Sequence, residues 1–118
     1  MTRDRRAAET RGREGERAAA WYLRLKGWRI LAERVRTAAG EVDLVAKRGR
    51  LVAFVEVKTR ATDAELDFAI DRRRLARVAA AAEILIPRFA GDGEDIRIDV
   101  LLLVPGKLPR HIENAWSG

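Results

Sequence analysis

Residues 40–59 read Gly40-Glu41-Val42-Asp43-Leu44-Val45-Ala46-Lys47-Arg48-Gly49-Arg50-Leu51-Val52-Ala53-Phe54-Val55-Glu56-Val57-Lys58-Thr59. Two apolar runs flank Arg48-Gly49-Arg50, a tight turn, which predicts a hairpin of strands Glu41–Lys47 and Leu51–Thr59. The second run is apolar almost throughout, so it reads as buried on both faces, yet it ends in two charges. Strand side chains alternate, so Glu56 and Lys58 project from one face, about 7 Å apart. Glu41 and Asp43 stand in the same relation on the preceding strand. Closing the hairpin around Gly49 sets Asp43 across from Phe54 to Glu56, within reach of Glu56.

Working outward, Trp28–Arg36 alternates and predicts a strand. Before it, Arg11–Lys26 predicts an amphipathic helix, with Ala19, Tyr22, Leu23 and Lys26 at three- and four-residue steps and Gly27 as its stop. Gly12 and Gly15 weaken its first turns, and the basic N-terminus, residues 1–10, either stays flexible or extends it. After the hairpin, polar Arg60–Glu65 breaks the pattern. A helix then runs to about Pro87, with Asp71 capping its main part and Leu75, Val78, Ala79, Ala82, Leu85 and Ile86 on its apolar face. Gly91-Asp92-Gly93 turns the chain into a strand over Ile96–Val104. Pro105-Gly106 leads to a short edge strand over Leu108–Ile112, where Pro109 is tolerated. The order α-β-β-β-α-β-β predicts a sheet with helices packed on it, α/β or α+β. Trp21, Trp28 and Phe54 all fall in core-like patterns, which argues against an aromatic platform for single strands.

The chain has 118 residues, 47% apolar and 36% charged, enough for the core of one domain and unlike a disordered polymer. Twenty-four Lys and Arg against eighteen Asp and Glu leave +6, favouring a polyanionic partner, nucleic acid before an anionic membrane surface. The absence of cysteine excludes disulfides, thiolate metal sites and Cys nucleophiles. Apolar stretches such as Val100–Pro105 fall far short of the roughly 20 residues that span a bilayer, and the N-terminus lacks an apolar signal-peptide region. A soluble, cytoplasmic protein is expected.

Unpaired carboxylates are costly to bury, so those in the apolar strands should be paired or bound to a cation. Glu56 with Lys58 alone reads as an ion pair at a solvated strand end. With Asp43 opposite, the pocket is acidic and suits Mg²⁺, held by oxygen ligands and water. Glu16 lies near the meridian of Leu23, seven residues on, beside the core-facing side of the first helix. Its ordinary alternative is a first-turn glutamate favouring the helix N-terminus. His111, the only histidine, has the chemistry of a metal ligand or general base, but a lone histidine near an edge strand is more often structural. No Ser-His-Asp set, phosphate-cradling loop or dinucleotide fingerprint occurs.

Gly12-x-x-x-Glu16, Tyr22-Leu23, Gly27, Ile30-Leu31, Gly40 to Ala46 and Phe54 to Arg60 together resemble the YraN-like family of predicted endonucleases, with Ile98-Asp99-Val100 and His111 to Ala115 as weaker matches. That family is similar to archaeal Holliday-junction resolvases and to PD-(D/E)XK nucleases. The resemblance implies a restriction-endonuclease-like α/β core, a mixed sheet flanked by helices, over residues 11–118. It implies a first acid at Asp43, the acid-x-Lys motif at Glu56 and Lys58, and the helical glutamate at Glu16. Val42 stands where the motif's proline would be, and Asp71-Arg72-Arg73-Arg74 replaces an expected Lys-Gln-type pair.

The implied chemistry is Mg²⁺-dependent phosphodiester hydrolysis, with Mn²⁺ as substitute. Asp43, Glu56, Glu16 and the carbonyl of Val57 serve as metal donors, and Lys58 orients water or stabilises phosphoryl charge. Glu41 is either outer-shell or merely solvated. Arg13, Arg17, Arg60, Arg72, Arg73 and Arg74 are candidate nucleic-acid contacts, although Arg72–Arg74 fan over some 200° of helix. The expected substrate is branched or duplex DNA, read by shape, in repair or recombination; a homodimer would match a branched substrate's two-fold symmetry. A nucleic-acid-binding protein that keeps the fold without cleaving is the alternative, and a partner-binding scaffold is a third reading.

Overall fold

The computed structural model describes residues 3–66 and 70–117, with side chains from residue 12 onward except that of residue 66. Its elements are α1 (Arg3–Leu25), β1 (Arg29–Thr37), β2 (Gly40–Arg48), β3 (Leu51–Thr59), α2 (Asp63–Leu66), α3 (Arg72–Phe89), β4 (Asp95–Leu103) and β5 (Arg110–Ile112). The five strands form one mixed sheet in the order β1-β2-β3-β4-β5, with β3 and β4 parallel and the other neighbours antiparallel. Parallel pairing of β3 with β4 needs a crossover, and α3 supplies it.

The hairpin forms as its sequence implies. Arg48 pairs with Leu51, leaving Gly49-Arg50 as a two-residue loop, and Gly49 takes φ +62, which such a turn demands of its first residue. β3 is buried on both faces because each face carries a helix. Val52 and Phe54 pack with Leu75, Val78, Ala82 and Leu85 of α3. Ala53 and Val55 pack with Ala19, Ala20 and Leu23 of α1 and with Trp28. This two-sided burial explains why the strand lacks the polar alternation of a solvated sheet.

Helix α1 begins at Arg3, well before Arg11, and ends in a Schellman turn: Trp28 N donates to Leu23 O at 2.9 Å, Gly27 N to Arg24 O at 3.0 Å, and Gly27 has φ +92. Trp21 corrects the expectation of a core tryptophan, since it is 64% exposed while Trp28 and Phe54 are buried. Two residues from Ala19 is about 200° of helix, so Trp21 faces away from the sheet. Lys26 likewise lies outside the apolar stripe, exposed just past the helix end, with its ammonium over the half-buried Tyr22 ring.

The polar segment after β3 is not wholly irregular: Asp63–Leu66 forms a short helix. At its start Glu65 N donates to Thr62 Oγ1, and the Glu65 side chain reaches one residue further back, where its Oε2 accepts from Ala61 N. Asp71 caps α3 by accepting from Arg73 N at 2.8 Å, and α3 runs past Pro87 to Phe89. β5 starts after Pro109 rather than at Leu108, which is exposed. Among the described residues no helix is long and apolar enough to cross a membrane.

Candidate functional site

The hydrogen-bonded pairing of β2 with β3 runs from Arg48↔Leu51 to Leu44↔Val55 and stops there. One step further, the Asp43 carboxylate takes over: Val57 N donates to Asp43 Oδ2 at 2.7 Å. β2 loses its alternation at the same point, because Val42 and Val45 both pack on the α3 side although three residues apart. Its neighbour β1 is irregular too. Register shifts between Ile30 and Ala32, and the pairs Glu33↔Leu44 and Val35↔Val42 bracket Arg34 and Asp43. Arg34 has φ +52, a left-handed conformation costing a non-glycine residue about 1–3 kcal/mol. Strained backbone at Arg34 and a side chain replacing a ladder bond at Asp43 therefore sit side by side.

The opening so created is a cavity of about 650 Å³, and Glu16, Asp43, Glu56, Val57, Lys58, Arg60 and Arg74 are among the residues lining it. Three separate segments supply the first four chemistry-bearing groups: α1 gives Glu16, β2 gives Asp43, and β3 gives Glu56 and Lys58. Gly15 lets α1 come close enough, since a Cβ there would lie 2.3 Å from Thr59 Oγ1.

Glu56 is 2% exposed and is the most buried acid of the cavity. Lys58 Nζ stands 3.7 Å from its Oε1, and Arg74 straddles it, with Nη2 at 3.3 Å from Oε1 and Nε at 3.4 Å from Oε2. Proximity to Glu56 raises the Arg74 pKa, fixing its charge. Arg34 Nε donates to Glu16 Oε2 at 2.5 Å. Burial, with the Glu56 charge second, pushes Asp43 up to about 8, against the downward pull of the Val57 N–H. Burial and the Glu56 charge thus favour the protonated form of Asp43 in the free protein.

The other sequence candidates fall around this centre. Glu41 does not line the cavity; it is half-buried, with Arg36 Nε 3.9 Å away. Arg13, Arg17, Arg72 and Arg73 are exposed, and Arg72 lies over the Trp116 ring at 5.1 Å. Among the described residues, no three acidic or histidine side chains form a ready-made metal cage.

Two features escape the sequence reading. Arg34 enters through the irregular backbone of β1, which no periodicity announces. The second is a separate buried network. Asp99, wholly buried, receives Arg97 Nε and Nη2 at 2.8 Å each, Asn114 N at 2.9 Å, and lies 2.7 Å from His111 Nε2. Burial alone would raise Asp99, but these bonds outweigh it and hold the carboxyl at about 2. An acid inside the apolar run Ile96–Val104 was the available signal.

Comparison with known proteins now adds the family. Residues 15–103 match the model of the Uncharacterised protein family UPF0102. The chain belongs to this family. The UPF0102 protein of Erythrobacter litoralis (strain HTCC2594) is 68% identical over 113 residues, 96% of this chain and 97% of the relative. That of Sphingopyxis alaskensis is 64% identical over 113 residues, again 96% and 97%. That of Rhizorhabdus wittichii is 60% identical over 114 residues, 97% of each. The matched span of this UPF0102 chain includes Glu16, Asp43, Glu56 and Lys58 and excludes β5 with His111.

Proposed function

We propose that this UPF0102 protein is a divalent-metal-dependent endonuclease that hydrolyses phosphodiester bonds in DNA, preferentially at branched structures. The observation that carries the reading is the meeting of Glu16, Asp43, Glu56 and Lys58, from three chain segments, in one cavity rimmed by arginines. The carboxylate pair suits a hard cation, because Mg²⁺ keeps several waters and uses one or two protein carboxylates. A proton on Asp43 and a cation between Asp43 and Glu56 answer the same electrostatic need, so the cation would displace the proton.

Asp43, Glu56 and the Val57 carbonyl would hold Mg²⁺, with Glu16 joining through water. Bound there, the ion supplies a Lewis acid for the phosphoryl oxygen and acidifies a water. The chain's own groups do the rest. Lys58 Nζ, tethered beside Glu56 and 17% exposed, donates to the phosphoryl oxygens as negative charge develops. Val57 N–H holds the Asp43 carboxylate in register. Arg60 lines the same cavity and offers a guanidinium to the backbone of the bound strand. The +6 net charge favours association with a polyanion.

The test is cleavage of labelled duplex, flap and four-way-junction DNA with Mg²⁺ or Mn²⁺, comparing wild type, Asp43→Ala and Lys58→Ala. Metal-dependent cleavage lost in both variants supports the proposal. Inert wild type and Asp43→Ala that bind DNA equally well would leave the non-catalytic binding reading, and no binding at low salt would remove nucleic acid as the partner.

A further inference from the structure

Glu16 and Glu56 are each held by cationic side chains before any ligand enters. Arg34 holds Glu16, Lys58 and Arg74 hold Glu56, and Asp43 accepts the Val57 N–H. Two of the cations reach in from opposite flanks: Arg34 from edge strand β1 and Arg74 from the first turn of α3. Both side chains remain about half exposed, at 42% and 45%, whereas the acids they hold are at 16% and 2%. A guanidinium with one end on a buried carboxylate and the other in solvent can leave without opening the core.

We propose that Arg34 and Arg74 are resident counter-cations that exchange partners on substrate binding: Glu16 and Glu56 pass to a divalent cation, and the two released guanidiniums take oxygens of the incoming phosphodiester. The inference rests on the nuclease reading and adds a specific order of affinities to it. A cation alone must displace arginines and leaves their positive charge unmatched, so it binds weakly. Phosphate alone finds both guanidiniums occupied. Together each ligand removes the other's obstacle, and by linkage each tightens the other equally. Arg34 is thereby a nucleic-acid contact that also positions Glu16, from a left-handed residue beside the end of the β2–β3 pairing. Arginine suits this role because its fork matches carboxylate and phosphate alike.

The experiment measures Mn²⁺ affinity by calorimetry without DNA, and four-way-junction affinity by fluorescence anisotropy with and without Ca²⁺. The proteins are wild type, Arg34→Gln, Arg74→Gln and the charge-preserving Arg34→Lys. Each Gln variant should bind Mn²⁺ more tightly, by roughly tenfold, and lose most of the cation's enhancement of DNA binding. Arg34→Lys should retain the wild-type Mn²⁺ affinity. Gln variants that bind Mn²⁺ no better, or worse, would overturn the exchange while leaving the metal reading in place. Wild type that binds DNA but takes up no Mn²⁺ even with DNA present would remove the metal reading and the exchange with it. Wild type alone supplies a further check should the variants not fold: Ca²⁺ must tighten DNA binding several-fold, and equal affinity with and without it refutes the proposal.

Discussion

Replacing Asp43 by Asn should make the protein more stable while removing the activity proposed for it. Asn is nearly isosteric and keeps an oxygen to accept the Val57 N–H at 2.7 Å. What it deletes is a carboxyl group whose ionisation burial and Glu56 disfavour, with a pKa pushed up to about 8. The sign follows from proton counting. Between about pH 4 and pH 8 the folded chain holds this proton and the unfolded chain does not, so stability from this group falls as pH rises through that window. From the ordinary value of 3.8 to pH 7 is about three pH units, at about 1.4 kcal/mol each. The ceiling on the gain for Asp43→Asn at pH 7 is therefore about 4 kcal/mol. Water entering the open cavity screens part of this, so a gain of about 2 kcal/mol is the expected outcome, shrinking to under about 0.5 kcal/mol at pH 4. Urea denaturation of both proteins at pH 4, 5.5, 7 and 8 with EDTA measures it. A variant equal to or weaker than wild type at pH 7, or a difference constant across pH, would refute the buried-acid description.

Asp99→Asn should act in the opposite sense, losing about 3–5 kcal/mol at pH 7 by leaving Arg97 without its buried carboxylate, as read by thermal melting. In wild type, with Asp99 held at about 2, the contribution of that group is full above pH 4 and fades as pH falls toward 2; an acid titration of stability should lose it there, and Asp99→Asn should not. Trp21→Ala should leave stability within about 0.5 kcal/mol, whereas Trp28→Ala should cost about 3–5 kcal/mol, a contrast measurable by denaturant midpoints. DNA affinity should fall steeply with salt, several-fold or more between 50 and 200 mM, and a flat salt response would contradict phosphate-dominated binding.

The fold was legible where a single local rule governs it. The Gly49 turn and two apolar runs specify the hairpin, period-two alternation puts Glu56 and Lys58 together, and helical period sets Glu16 near the core-facing side. Each of those groups lines the cavity because the local geometry is regular or nearly so. Arg34 was illegible for the converse reason: a register shift near Leu31 and a left-handed residue abolish the alternation that would have located it. Trp21 misled because apolar character alone does not place a residue on a helix; its angle from Ala19 does, and that turns it outward. Asp99 carried the signal of an acid in an apolar strand with Arg97 two residues away on the same face, but its other partners, His111 and Asn114, come from β5 and the turn after it, distant in sequence and joined only by the sheet.

The central claim is that the carboxylates of Asp43 and Glu56 form a divalent-cation site. Anomalous diffraction from Mn²⁺-soaked crystals tests it most directly. The account predicts one dominant peak between those two carboxylates, absent from Asp43→Asn crystals soaked alike. A wild-type map with no peak there, or with its only peak elsewhere on the surface, would contradict it.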